Sequence, residues 1–324
     1  MKEFLPMTLA LLAASVINAS AQTYPSRPIT MIMPFPPGGG TDAVTRVIAD
    51  HIKVSLGQPI IVENASGAGG TVGTARAMRA TADGYTLSIG NLGTHVVSPA
   101  TYPNIQYHPL NDFEPVAMLG TTAYWLVARK DLPPKNLKEF IAWLKTNPDK
   151  VSAGMIGSGG IDQIAGTFFQ QKTGTRFQFV PYRGPGSIVQ DLVAGHIDIW
   201  FGGAQGAFGQ VRGGEIKAYA VLAGSRWFAA PDVPSTAEAD LPGLTVPFWM
   251  GMWAPKGTPK DVIVKLNAAV MAATADSAVG QRLRDQGITP PSPELQTPEA
   301  FALFHKAEVD KWWPFIKAAG IKAQ

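Results

Sequence analysis

The sequence predicts an α/β protein built as two similar lobes. Three observations carry this expectation. The chain has 324 residues, room for about two domains at roughly 150 residues each. Hydrophobic residues make up 46% against 16% charged, enough apolar side chain to bury one core per lobe. From Pro28 onward, β-rich apolar runs alternate with segments of helical period, the pattern of mainly parallel sheets flanked by helices.

Taken in order, Ile29 to Phe35 reads as a buried strand. Asp42 to Lys53 reads as a helix, because Val44, Val47, Ile48 and Ile52 recur at helical spacing. Pro59 to Glu63 is the next strand, Gly73 to Ala80 a short helix, and Thr86 to Gly90 a third strand after the Asp83-Gly84 turn. A Pro-rich connection, Pro99 to Pro115, and a long apolar segment, Val116 to Ala128, introduce the second set. That set comprises helix Leu137 to Thr146, strand Val151 to Ile156, helix Ile161 to Gln171, strand Phe177 to Tyr182, helix Ser187 to Ala194, and strands Ile197 to Phe201 and Ile216 to Leu222. Pro259 to Ala273 and Pro298 to Ala319 are helical and are expected to pack back on the first lobe, making it discontinuous.

Composition excludes several classes. Twenty-seven Lys and Arg stand against 24 Asp and Glu, and the basic residues are scattered singly, so a nucleic-acid footprint is not expected. With no cysteine there is no disulfide framework, thiolate metal site or thiol nucleophile. Residues 1–21 open with Lys2, pass through an apolar run shorter than a membrane span, and reach Ala19-Ser20-Ala21. This reads as a cleavable secretory signal, and export without cysteine points to a periplasm.

Three loops at strand ends are rich in small residues: Pro36 to Asp42, Gly157 to Gly160, and Gly90 to His95. In parallel sheets, ligands bind beyond the carboxyl ends of the strands, where loops enter helices. Glycine lets backbone N–H groups come close to a ligand, and a helix start adds unpaired donors and about half a positive charge. Each loop is therefore a candidate anion cradle, although glycine in any one of them could serve only a tight turn. Asp42 would compete with a bound anion and is read as a cap that takes amide protons for itself.

Enzyme signatures fit poorly. Gly40 is followed by Thr41 and Asp42 rather than the lysine of a phosphate-binding loop, and Ile156 stands where a hydrolase elbow would need glycine before Ser158. Gly38-x-Gly40-x-x-Ala43 with Glu63 following fits a relaxed dinucleotide fingerprint. An exported dinucleotide-binding or other α/β enzyme acting on a small acid is therefore the alternative reading, weakened by Pro36-Pro37 and by the export signal. His51, His108, His196 and His305 lie far apart and are read as surface or core residues, not metal ligands. Trp249 and Trp253 could cover a ligand or lie in the core. Arg129 and Arg183 could meet a second carboxylate or make structural pairs.

Six ordered motifs together resemble one family. They are Pro34-Phe35-Pro36-Pro37-Gly38-Gly39-Gly40-Thr41-Asp42, Glu63-Asn64-Ala65-Ser66-Gly67-Ala68-Gly69-Gly70, Ala82-Asp83-Gly84-Tyr85-Thr86, Asn111-Asp112-Phe113-Glu114-Pro115, Val180-Pro181-Tyr182-Arg183-Gly184 and Ala254-Pro255-Lys256-Gly257-Thr258-Pro259. The chain resembles the Bug family, the periplasmic receptors of tripartite tricarboxylate transporters. The resemblance implies a two-lobed type II periplasmic binding fold whose lobes are joined by two crossover segments. On that reading residues 1–21 are the signal peptide, 22–122 with 225–324 the first lobe, and 123–224 the second. It further implies a monomer without cofactor or metal that binds a small organic carboxylate, closes over it and is read by integral membrane transporter subunits.

In the family, the loops matching Pro37 to Asp42 and Gly157 to Gly160 hold one carboxylate largely through backbone amides and bridging waters. The expected site is Phe35, Pro37, Gly38, Gly39, Gly40, Thr41 and Asp42 from the first loop, facing Gly157, Ser158, Gly159 and Gly160 from the second. Thr94, His95, Gly203, Ala204 and Trp249 are candidates around the remainder of the ligand. Many relatives carry bulkier polar residues at Gly202 to Gln205, which leaves the distal end of the pocket open. Four or five charge-assisted hydrogen bonds of about 1.5–3 kcal/mol each supply, after ordering costs, the roughly 8 kcal/mol of a micromolar complex.

Overall fold

The computed structural model describes residues 23–323; the expected signal segment, 1–21, lies outside them. Two five-stranded sheets organise the chain. The first is built from β1 (Ile29–Met33), β2 (Ile60–Asn64), β3 (Thr86–Asn91), β4 (Phe113–Thr122) and β10 (Phe248–Pro255), in the order β2-β1-β3-β10-β4. The second comprises β5 (Tyr124–Arg129), β6 (Ser152–Ile156), β7 (Gln178–Tyr182), β8 (Ile199–Gly203) and β9 (Ile216–Val221), in the order β7-β6-β8-β5-β9.

The two orders are equivalent. In each sheet the fourth strand, β10 or β5, pairs antiparallel with both neighbours, while the pairs β1–β2, β1–β3, β6–β7 and β6–β8 are parallel. The reason lies in the connections. The chain leaves the first sheet at Thr122 and enters the second at Tyr124; it leaves β9 at Val221 and re-enters as β10 at Phe248. A strand arriving from the other lobe starts at the crossover and must run away from it, against strands that end there. The carboxyl ends of the other four strands in each sheet therefore face the crossovers.

The helices are α1 (Gly40–Leu56), α2 (Thr71–Met78), α3 (Ser98–Thr101), α4 (Leu137–Thr146), α5 (Ile161–Thr173), α6 (Pro185–Ala194), α7 (Phe208–Arg212), α8 (Lys260–Ala275), α9 (Ser277–Asp285) and α10 (Pro298–Ala318). The helical stripe of α1 is buried at Val44, Val47, Ile48 and Ile52, in one cluster with β1 and with Ile263, Leu266 and Val270 of α8. At roughly 25 cal/mol per Å² of apolar surface removed from water, this stripe drives the packing. Asn267 of α8 also donates to the Val116 carbonyl of β4 at 2.9 Å. The last helix, α10, touches both halves: it packs on β4, and its Trp312 and Phe315 meet Phe168 of α5 edge-on.

Several sequence expectations need correction. The apolar segment Val116 to Ala128 is two strands in different sheets, divided at Ala123. β10 and α9 add elements that the periodicity did not mark. The strand expected to run to Phe35 ends at Met33, which leaves Phe35 in the loop. The first helix begins at Gly40, so glycine and Thr41 form its first turn.

Candidate functional site

The two glycine loops at the ends of β1 and β6 have one backbone design. In the first, Gly38 takes a left-handed φ of 86°, Gly39 is extended (φ −75°, ψ 163°), and α1 begins at Gly40. In the second, Gly159 has φ 76°, Gly160 is extended (φ −83°, ψ 173°), and α5 begins at Ile161. A left-handed residue at this point favours glycine, which has no Cβ to clash. In both loops the side chain of the third helical residue reaches back to the left-handed glycine. Asp42 Oδ2 accepts the Gly38 N–H at 3.0 Å, and Gln163 Oε1 accepts the Gly159 N–H at 2.8 Å.

This lock leaves the next amides available. The helical hydrogen bonds begin only with Ala43 N–H to the Gly39 carbonyl (2.9 Å) and Ile164 N–H to the Gly160 carbonyl (3.2 Å). The amides of Gly39, Gly40 and Thr41, and those of Gly160 and Ile161, precede these bonds and lack intrahelical partners. Five donors, each at the positive end of a helix dipole, form two cradles for negative charge.

The strand directions turn both cradles toward the crossovers, and one contact spans the gap between the halves. A Cβ added to Gly40 would lie 2.7 Å from Nε2 of Gln205. Gln205 lies on a 3-10 turn, Ala204–Gly206, directly after β8, the strand that pairs with β6. The sequence reading took Gly203, which is half-buried, and Ala204, which is fully buried, as site residues and set the segment Gly202 to Gln205 at the distal end of the pocket, without singling out Gln205 beside the first cradle. Its position directly after those two small residues was the available signal. The chain end approaches the second loop as well: Ala323 lies against Gly159 and donates to the Thr101 carbonyl at 3.0 Å.

The two loops handle charge differently. Asp42 is buried and holds the first loop from several sides. Arg46, four residues on, gives it Nε–H at 2.9 Å and Nη2–H at 3.0 Å, and Asn64 bridges it to the Phe35 carbonyl. Burial alone would raise the Asp42 carboxyl, but Arg46, the Gly38 amide and Asn64 outweigh it and hold it below the usual carboxylate range. In the second loop the acid is Asp162, one position earlier in its helix, and it points beneath the loop. It accepts from the Ile156 amide (3.1 Å), from Trp200 Nε1 (2.9 Å) and from the Tyr124 hydroxyl. The acid has no cation partner among the described residues, and burial pushes its carboxyl up to about 6. The sequence reading did not single out Asp162.

The expected site residues differ in exposure, and those of the third loop and beyond are placed less favourably. Phe35 is half-buried at the first loop; Pro37 and Gly38 are exposed, and Gly39 and Gly40 half-buried. Thr41 is buried, with Asn91 Nδ2 donating to its hydroxyl at 3.4 Å. Gly157 and Ser158 are half-buried beside Gly159. The third loop closes on itself: Asn91 Oδ1 takes the Gly93 amide at 2.9 Å and the Thr94 amide at 3.3 Å. Thr94 and His95 are fully buried. The His95 ring lies flat on Trp253, centroids 3.6 Å apart, with Nδ1 against the Thr94 hydroxyl, and burial keeps it neutral well below its ordinary range. Trp249 is fully buried, its Nε1 donating to Glu308 at 3.2 Å. Arg129 pairs with Asp198 at 2.8 Å, whereas Arg183 is exposed.

A family model described as the tripartite tricarboxylate transporter family receptor matches residues 44–321. The chain belongs to this family. BugT of Bordetella pertussis is 36% identical over 304 residues, covering 94% of this chain and 92% of BugT. MatC of Rhodopseudomonas palustris, solved with bound malate, is 38% identical with a TM-score of 0.83, over 90% of this chain and 100% of MatC. A second R. palustris protein, solved with adipate, is 29% identical with a TM-score of 0.85, over 92% of this chain and 99% of that one. The two-lobed type II fold is thus the fold of this receptor family, and the match runs from within α1 to the segment after α10.

Proposed function

We propose that this protein is a periplasmic receptor for a small organic carboxylate and that it works by closing its two lobes over the ligand. One carboxylate of the ligand sits between the starts of α1 and α5, where the amides of Gly39, Gly40 and Thr41 meet those of Gly160 and Ile161. The observation that carries this reading is the repeated loop design, in which a locked left-handed glycine precedes free amides at the same point of both lobes. The malate and adipate held by two relatives support a small dicarboxylate as the first ligand to try.

The lobes are residues 22–122 with 225–324, and 123–224, hinged at the crossovers around Ala123 and between β9 and β10. The closed form is what integral membrane transporter subunits recognise, because closure brings surfaces of both lobes into one fixed relation. The receptor acts as a monomer, is exported by its first 21 residues, and releases its ligand chemically unchanged.

Calorimetry of the purified protein against malate, adipate, citrate, glutamate and benzoate, with the acids recovered and analysed by mass spectrometry, tests this. Saturable heat with intact acid is the expected result. Turnover of an acid, or no saturable heat across the panel, contradicts it.

A further inference from the structure

The buried acid beneath the second loop has no part in the amide cradle, and its surroundings suit a neutral carboxyl group. Asp162, Tyr124 and Trp200 are each at most 3% exposed. The N–H groups of Ile156 and Trp200 converge on Oδ2 and the Tyr124 hydroxyl meets Oδ1; these bonds and the acid's own backbone amide pull its carboxyl down, but burial outweighs them. Ionised, the carboxyl accepts from Ile156, Trp200 and Tyr124; protonated on Oδ1, it keeps Oδ2 as the acceptor for both N–H groups and donates to the Tyr124 oxygen, which then gives up its own bond to Oδ1. An ionised acid would be a charge buried with only neutral partners, which is costly.

The charged and titratable groups around it belong to other contacts. On β5, Tyr124 is at hand and is itself pushed far up by burial, while Arg129 ends that strand in its pair with Asp198. Strands β6 and β8 carry no ionisable side chain. Within α5, Lys172 lies in the last turn, against Phe168. On α6, Asp191 is taken by Tyr182 and His196. On α10, Glu308 receives the indoles of Trp249 and Trp312, and Lys311 lies over the Trp312 ring. Lys322, in the chain end, approaches Ser158 through its carbonyl.

Asp162 is the second residue of α5, so its charge and a ligand carboxylate on the Gly160 and Ile161 amides draw on the same helix dipole. Two negative charges within one helical turn repel, the more so once closure over the ligand excludes water. We propose that Asp162 is a proton-binding residue linked to the ligand, so that an organic anion is held together with one proton on Asp162 and affinity falls as that carboxyl ionises. This inference rests on the receptor reading. It adds that the second lobe senses pH while the first, whose acid is neutralised by Arg46, does not. Because binding linkage is reciprocal, an anion that raises the acid's pKa by one unit loses about tenfold in affinity once the pH exceeds both values.

The test uses the acid from the panel above that gives the strongest saturable heat. Its affinity is measured from pH 5 to pH 8 for the wild type and for Asp162→Asn, whose Oδ1 can accept from Ile156 and Trp200 while its amide group meets Tyr124. The ratio of the two affinities cancels the acid's own titration. A wild-type to variant ratio that falls about tenfold across the range is expected; a ratio constant within twofold overturns the proposal while leaving the receptor reading intact. Should the variant not fold, wild-type binding heats at pH 6.5 in two buffers of different ionisation enthalpy decide the matter. Proton uptake is expected, opposite in sign to the release caused by an acid binding as its dianion, and no uptake overturns the proposal. A complete absence of saturable heat with the panel contradicts the receptor reading and this inference together.

Discussion

The starts of α1 and α5 share a backbone and differ in where they keep their acid. At the first, Asp42 is the third helical residue and lies within reach of Arg46, whose side chain is about half exposed. The carboxylate there stays ionised and serves as a latch for Gly38. At the second, Gln163 takes over the latch without charge, and an acid appears one position earlier, where the first helix has Thr41. Asp162 points inward, at an effective dielectric that penalises charge. On the proposed reading, the same loop geometry responds to pH only in acid or closer to neutrality, according to where along the helix the carboxylate is placed. The difference follows from which neighbour that residue finds, a cation at the surface or neutral donors inside.

Four substitutions would break or sharpen this contrast. The largest effect is expected for Gly39→Val. The native φ of −75° suits any residue and the nearest atom to a new Cβ is 4.0 Å away, so the fold should survive while the anion is held off. Loss of two charge-assisted bonds, about 3–6 kcal/mol, means more than 100-fold weaker binding by calorimetry; unchanged affinity would argue that the first loop is no cradle.

Asp162→Asn comes next, read as stability of the ligand-free protein. The folded carboxyl, at about 6, lies above the unfolded value of roughly 3.9. The native state therefore holds more protons than the unfolded state between those limits, and the wild type loses stability as pH rises through them. Relative to its difference at pH 4, the variant should gain up to about 3 kcal/mol above pH 6, measured by chemical denaturation; a pH-independent difference would contradict the assignment.

A smaller change is expected from Gln163→Ala, which frees the Gly159 amide. An unmade hydrogen bond of about 1 kcal/mol should weaken binding roughly fivefold, and titration of the same acid would show it. Smallest is Asp42→Asn. The Asp42 carboxyl is held below its usual range, so its stabilisation is present above the unfolded value near pH 4 and is lost as pH falls through the lower, folded one. The wild type should lead by up to about 1 kcal/mol at neutral pH and lose that lead in acid, as denaturation at pH 7 and pH 3 would reveal.

The parts legible in the sequence were those written locally. The stripe of α1, the strand-to-helix glycine runs and the taking of an amide proton by Asp42, from Gly38 and not from the helix as a cap would, depend on residues within a few positions of one another. β10 escaped because every residue from Trp249 to Pro255 is buried, so no alternation marks the strand. α9 was short and charged, though Asp276, which caps it through the amides of Ala278 and Val279, was a readable signal. Thr94, His95 and Trp249 were attractive as polar or aromatic groups near a strand end. Their burial depends on α10, whose His305 bonds the His95 carbonyl from 210 residues away. Asp162 was invisible for a similar reason: its partners Tyr124 and Trp200 each lie 38 residues off in sequence, and only the assembled sheet brings them beneath the loop.

The most direct test is a crystal structure of the protein holding its tightest-binding acid. One carboxylate of that acid should lie about 2.7–3.1 Å from amides at the start of α1, among Gly39, Gly40 and Thr41, and equally close to those of Gly160 or Ile161. An acid seated elsewhere, or held by one helix start alone, would contradict the account.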